Sequence, residues 1–396
     1  MAQTVQNTVP APDLGIPLSP HTVDVSIINT NSTVQGVSAH LFFTPPLQGY
    51  DWLGVPVFSF LIQHPGLNRS LIFDLGIRKD WENLSSPVLS RIKGGGWTLR
   101  VEKDVHEILE EGGVNPNSIK AIVWSHHHFD HTGDPSKFPP STSLIVGPGF
   151  TKAMLPGYPI NQNSPILESD LANRALIELD FSPEDNNSGP FRAHTIGRFQ
   201  ALDYFGDGSF YLLGTPGHTT SHIGALAHPD SFILLAGDAI HHVGEIRPSQ
   251  YLPLPDQPCP ESNPHPLDSH YPCPCGEVFE DAIFRGRGRA KDQPIWDPVG
   301  LKEGEESLHD GAHEVMHTAE KLQAWDAQDH VLLAAAHDES LLFDERVCGA
   351  CLWVRQRWRF LRDFARPVGK EDHEVVRRRD WGPPGHENAG EKGEKA

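Results

Sequence analysis

Four short segments of this 396-residue chain carry side chains able to hold metal ions. The first is His126-His127-His128-Phe129-Asp130-His131. The others are His218 within Thr-Pro-Gly-His, Asp238 within Ala-Gly-Asp-Ala, and His337 within Ala-Ala-His-Asp. Imidazole nitrogen and carboxylate oxygen suit zinc and its first-row neighbours. In an extended segment, residues two apart point to the same side, so His126 and His128 can grip one ion together. Asp130 and His131 come after the turn and can reach a second ion beside the first. Asp238 has two carboxylate oxygens and can bridge both. Two ions about 3.5–4 Å apart share a water, lower its pKa and polarise the group it attacks. His127, between two ligand positions, points to the opposite face, and His222, His241 and His242 lie close to the same segments.

Each segment closes an apolar run of strand type: Ile119 to Trp124, Phe210 to Leu213, Ser231 to Ala236, and Val331 to Ala336. Upstream, runs at 22–29, 37–43, 57–62 and 70–74 are β-branched or alternating and separated by Gly, Pro and Asn, which predicts strands of an antiparallel or mixed sheet. Helical spacing predicts helices over 101–111, stopped by Gly112-Gly113, over 308–322, and over 344–364. The two halves share a plan of strands ending in metal-type residues, as in a duplicated βαβ-like layout. Residues 1–22 read as a loose polar arm, 23–365 as one domain, and 366–396 as a disordered charged tail. Residues 243–300, rich in Pro, Cys, Gly and His, read as a long structured insertion.

The segment from His126 to His131 matches the HxHxDH signature of the metallo-β-lactamase superfamily. His218, Asp238 and His337 follow in that family's order, and Phe73-Asp74-Leu75-Gly76 resembles its D-x-G turn. The resemblance covers roughly residues 25–365. It implies an α+β fold, a four-layer αββα sandwich with a dinuclear site at one edge of two packed sheets. Carried over residue by residue, it implies that His126, His128 and His218 hold one zinc, that Asp130, His131 and His337 hold the other, and that Asp238 bridges them. Manganese or iron could replace zinc. Asp130 would also take a proton from the attacking hydroxide or orient it. Asp74 is either a partner of a ligand histidine or a turn residue.

Within the superfamily the sequence looks like the lactonase branch, and phrases around Phe73–Asn83 and Gly244–Leu254 resemble fungal cytosolic members that open lactone or lactam rings. The implied activity is hydrolysis of a cyclic ester or amide by a metal-bridging hydroxide, in detoxification of xenobiotics or secondary metabolites. In the lactonase branch a Tyr commonly follows the bridging Asp by three residues. Here His241 stands at that position, and either His241 or Tyr251 could donate the missing hydrogen bond; His241 is preferred. The alternative activity is thioester hydrolysis of the glyoxalase II or acyl-carrier type. Aromatic and Pro residues of the insertion (Tyr251, Tyr271, Phe279, Phe284 and Trp296) suit a wall for a flat or apolar substrate, although aromatics ordinarily serve as packing. Cys259, Cys273 and Cys275 could hold a structural zinc with His265 or His270, but Cys-X-Cys is not the usual ligand spacing. Arg247 and Lys79 could meet a substrate carboxylate, although a lone basic residue is ordinarily solvated or salt-bridged.

Charge and composition exclude other classes. With 32 basic and 52 acidic residues the formal charge is −20, which argues against nucleic acid and against an anionic membrane surface as partners. No apolar run approaches the ~20 residues that span a bilayer. The N-terminus lacks the basic and apolar regions of a secretory signal. Five cysteines are too few and too odd in number for a disulfide framework, so a reducing, cytoplasmic setting is expected. The expected partner is a small molecule with an apolar or aromatic ring. The oligomeric state is open, a homodimer included.

Overall fold

Alternation of side chains along the strands sets the architecture of the computed structural model, which describes residues 9–47, 50–182, 191–253, 288–338 and 341. Strands of the first sheet are β1 (Asp24–Ser38), β2 (Trp52–His64), β3 (Arg69–Phe73), β4 (Thr98–Arg100), β5 (Ile119–Val123), β6 (Ser143–Val146) and β7 (Leu176–Glu178). Their order is β4-β1-β2-β3-β5-β6-β7. The second sheet holds β8 (Arg192–Ile196), β9 (Phe199–Asp203), β10 (Phe210–Gly214), β11 (Ile223–Ala227), β12 (Phe232–Gly237) and β13 (Val331–Ala335), in the order β13-β12-β11-β10-β9-β8.

Phe58, Phe60 and Ile62 of β2, with Leu71 and Phe73 of β3 and Val123 of β5, face Phe210, Leu212, Ala225, Leu235 and Leu332 of the other sheet, and all are buried. The residues between them turn outward, as the period of two in a pleated strand requires. Leu61, Ile72 and Ile122 therefore meet Val105 and Leu109 of helix α2 (Val105–Glu111), which follows helix α1 (Ser86–Gly94). Leu213, Leu234 and Leu333 meet Ala319, Leu322 and Trp325 of helix α3 (Ala312–Asp326). The result is helix, sheet, sheet, helix: the expected four layers.

Several boundaries differ from expectation. The strand expected over 37–43 is the end of β1, a single helical turn at Ala39–Leu41, and a two-residue strand Phe43–Thr44 paired with Asp297–Pro298. Helix α3 starts four residues later than the periodicity suggests, because the backbone of Asp310 bonds to His218 O (3.0 Å) instead of continuing a helix. The described part of the expected loose arm touches the second sheet at a few points. Leu14 is buried beside Phe199 and Trp325, its carbonyl accepts Gly197 N–H at 2.7 Å, and Pro12 O accepts the Gln328 amide at 2.7 Å. Leu14 and, in part, Ile16 find cover on the outer face of the second sheet, while Val9 and Leu18 stay exposed. Of the insertion, 254–287 lie outside the described residues, as do all five cysteines, the expected helix at 344–364 and the tail at 366–396. Among the described residues, no helix is long and apolar enough to cross a membrane.

Candidate metal centre

Strand direction gathers the motifs. Strands β3 and β5 run parallel, so Asp74 and the His126–His131 segment leave the first sheet at one edge. In the second sheet β12 is parallel to β13 and, through antiparallel β11, runs the same way as β10. His218, Asp238 and His337 therefore leave it at one edge too. Packing the sheets face to face brings the two edges together.

Two clusters of ligand atoms result: His126, His128, His218 and Asp238, and beside them Asp130, His131 and His337. His128 Nδ1 lies 2.9 Å from both His126 Nε2 and His218 Nε2. Ligand atoms sharing one zinc, bound at ~2.0–2.1 Å, sit about 3.3 Å apart, so this set closes on a single point. Asp238 spans both clusters. Its Oδ2 is 3.4 Å from His218 Nε2, while its Oδ1 is 3.3 Å from His131 Nε2 and 3.1 Å from His337 Nε2. His337 Nε2 is 3.5 Å from Asp130 Oδ2. His131 Nε2 and Asp238 Oδ1 are buried and make no hydrogen bond. Buried polar atoms without partners are rare, and inward-facing lone pairs of this kind fit a cation.

Electrostatics agree. Burial pushes His126, His128 and His218 well below the ordinary histidine range, which leaves their lone pairs free. Burial, the largest single influence, opposes the charged form of His131 and His337, but the carboxylates around them together raise both: Asp238, Asp74 and Asp130 for His131, Asp238 and Asp130 for His337. A site that gathers protons when nothing else is bound is one where metal must displace them.

Outer contacts orient these rings. His131 Nδ1 bonds to Asp74 Oδ2 at 2.8 Å, and Ser125 donates to the same carboxylate through its N–H (2.6 Å) and Oγ (2.8 Å). Asp74 is thus a partner of a ligand-type histidine as well as a turn residue, in the left-handed region at φ 60°. His337 Nδ1 donates to Pro56 O at 2.9 Å. His222 is part of neither cluster. Its Nδ1 donates to Thr215 O (2.9 Å) and its Nε2 accepts Asp238 N–H (3.0 Å), so it fixes the backbone of Asp238. Gly237 makes room for that contact, since a Cβ there would lie 2.7 Å from His222 Nε2.

The clusters lie at the floor of a cavity of about 610 Å³ walled by Val34, Phe42, Trp52, Leu53, Trp97 and Phe129. His241 lines it, with Nε2 3.2 Å from Asp238 Oδ2. Tyr251 instead packs against the outer core of the second sheet and does not line the cavity. His127 lines the cavity outside both clusters, and His242 packs edge-on to Trp296. Trp296 is buried and stacks on Phe43 and Tyr50 at 4.9 and 5.1 Å, which gives it a packing role. Tyr271, Phe279 and Phe284 lie outside the described residues. The two basic residues singled out from sequence are engaged: Arg247 with buried Asp326 (Nη2 to Oδ1 2.8 Å) and Lys79 with Glu107 (2.8 Å). Arg91, which sequence reasoning missed, lines the cavity and carries no carboxylate partner among the described residues. Also missed were Glu245 and His309, which lie beside His241. Glu245 carries a local signal, as the capping partner three residues after His242, whereas Arg91 and His309 have none, because their neighbours at the site come from distant parts of the chain.

Residues 52–271 match the family model described as the metallo-β-lactamase superfamily. The chain is 40% identical over 378 residues to gamma-lactamase FDB1 of Fusarium pseudograminearum, covering 91% of this chain and 86% of that protein. It is 38% identical over 371 residues to metallo-hydrolase mfmC of Annulohypoxylon moriforme, covering 90% of this chain and 91% of that protein. Among solved structures, a quorum-quenching N-acyl homoserine lactone hydrolase aligns over 84% of this chain and 97% of its own, at 15% identity and a TM-score of 0.47. With its motifs assembled at one edge of a four-layer sandwich and more than half its length matched, this chain belongs to the metallo-β-lactamase superfamily and is a hydrolase.

Proposed function

We propose that the chain is a dinuclear metal hydrolase that opens a cyclic ester or amide. The observation that carries this reading is Asp238, whose two oxygens face two different sets of ligand atoms at the floor of an apolar cavity. His126, His128 and His218 would hold one ion and Asp130, His131 and His337 the other, with Asp238 shared. The donor set suits zinc, with manganese or iron as alternatives. Metal ions there would supply Lewis acidity, lowering the pKa of a water and polarising the substrate carbonyl.

The chain's own residues do the rest. The apolar walls bind the ring and exclude bulk water, which strengthens every polar interaction on the floor. Asp130 lines the cavity with an accessible carboxylate, placed to orient the attacking water and accept its proton. His241 lines the floor and is placed to donate a hydrogen bond to the substrate carbonyl oxygen, where charge develops. A lactam or lactone is preferred because the relatives named above include a gamma-lactamase, and a gamma-lactamase MBL2 of Gibberella moniliformis is 42% identical over 233 residues. The cavity volume and its aromatic walls favour a ring with apolar substituents. A cytoplasmic role in detoxification fits such a substrate.

The test is elemental analysis of protein purified without a chelating tag, with hydrolysis assayed on the same sample. The panel holds an acyl-homoserine lactone, an aromatic lactone, benzoxazolinone, a β-lactam and a thioester. About two ions per chain with ring opening supports the proposal. Cleavage of the thioester alone would select the other activity, and absence of both metal and hydrolysis would sink it.

A further inference from the structure

We propose that His309 is the positioning residue of the metal ligand His218: its Nδ1 accepts the outward N–H of His218 and so fixes that ring with its Nε2 lone pair toward the ion. The inference rests on the metal-centre reading above.

His218 Nε2 faces the cluster, 2.9 Å from His128 Nδ1 and 3.4 Å from Asp238 Oδ2. A neutral imidazole offers one donor and one acceptor nitrogen. If Nε2 serves the ion, Nδ1 must carry the hydrogen, and it meets His309 Nδ1 at 3.2 Å. His131 and His337 solve the same problem with Asp74 and with Pro56 O. For His218 the acceptor comes from a residue 91 positions away.

The backbone is built to hold this pair. Asp310 N–H donates to His218 O and Gly311 N–H to Gly217 O, both at 3.0 Å. Asp310 Oδ2 accepts Thr220 N–H at 2.9 Å. Residues 309–311 thus clasp the turn that carries His218. Gly217 adopts φ 138°, and a Cβ there would lie 2.4 Å from Val315 N, so only glycine lets the turn sit this close to the start of α3.

Accepting at Nδ1 places the hydrogen of His309 on Nε2, which is buried with no partner. Glu245 Oε1 is also buried and unpartnered, and one ligand-type atom from each of His241, Glu245 and His309 falls within 4.8 Å of the others. Glu245 itself is anchored, because its Oε2 accepts the N–H groups of His241 (2.6 Å) and His242 (3.1 Å). The buried carboxyl group of Glu245 thus lies within 4.8 Å of a His309 ring nitrogen without bonding to it. A third ion bound by His241, Glu245 and His309 is the competing reading of these atoms. It would need the lone pair of His309 Nε2, and the N–H then left on Nδ1 would face the N–H of His218.

The experiment measures cobalt and zinc affinity by chelator competition, with the visible spectrum of bound cobalt, in wild type, His309→Leu, His309→Gln and His309→Asn. Asn carries an amide oxygen near the position of Nδ1, whereas Gln places its amide near Nε2. The expected result is a roughly 10–100-fold loss of affinity for one of two ions in the Leu and Gln variants, the size typical of lost outer partners, with the second ion unaffected. His309→Asn should stay within a few-fold of wild type. Should His309→Leu fold poorly, the Gln and Asn pair decides alone. Wild-type affinity in the Gln variant, an Asn variant as weak as the Gln variant, or loss of a third ion would each overturn the inference. A wild-type chain that binds no ion overturns the metal-centre reading, and this inference with it.

Discussion

Asp74 Oδ2 accepts a hydrogen bond from His131 Nδ1 at 2.8 Å, joining residues 57 positions apart. Both side chains are buried, and Ser125 donates twice to the same carboxylate. The bond selects the tautomer of His131 whose Nε2 faces Asp238. Asp74→Ala should therefore weaken metal binding by roughly 10–100-fold, with a smaller loss in Asp74→Asn, which keeps one acceptor. Chelator competition checks this, and unchanged affinity in the Ala variant would return Asp74 to the status of a turn residue.

Asp238→Ala removes the one carboxylate shared by both clusters, and His128→Ala removes the nitrogen 2.9 Å from two others. Each should abolish hydrolysis and lower metal content together. Paired elemental analysis and assay read both quantities from one preparation. Full activity with the metal lost would show the dinuclear mechanism to be wrong.

His241 is expected to act on the substrate, with no ion of its own to hold. His241→Phe should lower kcat by roughly 10²–10³, the range for loss of one oxyanion donor, with metal content unchanged. His241→Tyr restores a donor and should recover part of the rate. Wild-type kcat in the Phe variant would remove His241 from the mechanism.

Arg91 stands on the cavity wall as a cation without a carboxylate partner among the described residues. For a substrate bearing a carboxylate, Arg91→Ala should raise KM by about 10-fold or more, the scale of one charged hydrogen bond. KM for a neutral analogue should hardly move. Equal changes for both substrates would make Arg91 a wall rather than a recognition group.

Asp170 lies outside both metal-type clusters, in a buried network with Arg78 (3.2 Å). Burial pushes its carboxyl up to about 7, and Asp134 adds to this while Arg78 opposes it. An unfolded Asp titrates near 3.9, so the native state binds more protons between about pH 4 and pH 7. Stability from this group is present below that window and is lost as pH rises through it. Asp170→Asn cannot ionise and should gain on wild type by roughly 1–3 kcal/mol as pH climbs from 4 to 8. Urea melts at several pH values test it, and a gap that stays constant or narrows would contradict the raised pKa.

The seven ligand-type residues were legible because their evidence is local. Two histidines two apart at the end of a strand carry their geometry with them, and four such strand ends leave little freedom. The sheets were legible for the same reason, since Phe58, Phe60 and Ile62 announce an inward face by alternation. Partners were not legible. Sequence could not name the partner of Arg247, which closes on Asp326, 79 positions away. Tyr251, which the sequence kept as the alternative to the preferred His241, turns its side chain to the outer core.

By itself the sequence determined which residue types stand at strand ends and in what order, and so the family and the metal chemistry open to the chain. Only the tertiary structure decided which nitrogen of each histidine faces inward, that His222 secures Asp238 from behind, and that Arg247, although it lines the cavity, is engaged by Asp326 while Arg91 lines it with no carboxylate partner among the described residues. The reason is physical. Strand and motif signals follow from φ/ψ preference and side-chain period along a few residues. Tautomers, ion pairs and cavity walls depend on which distant segments pack together and on what burial then forbids each polar atom to leave unpaired.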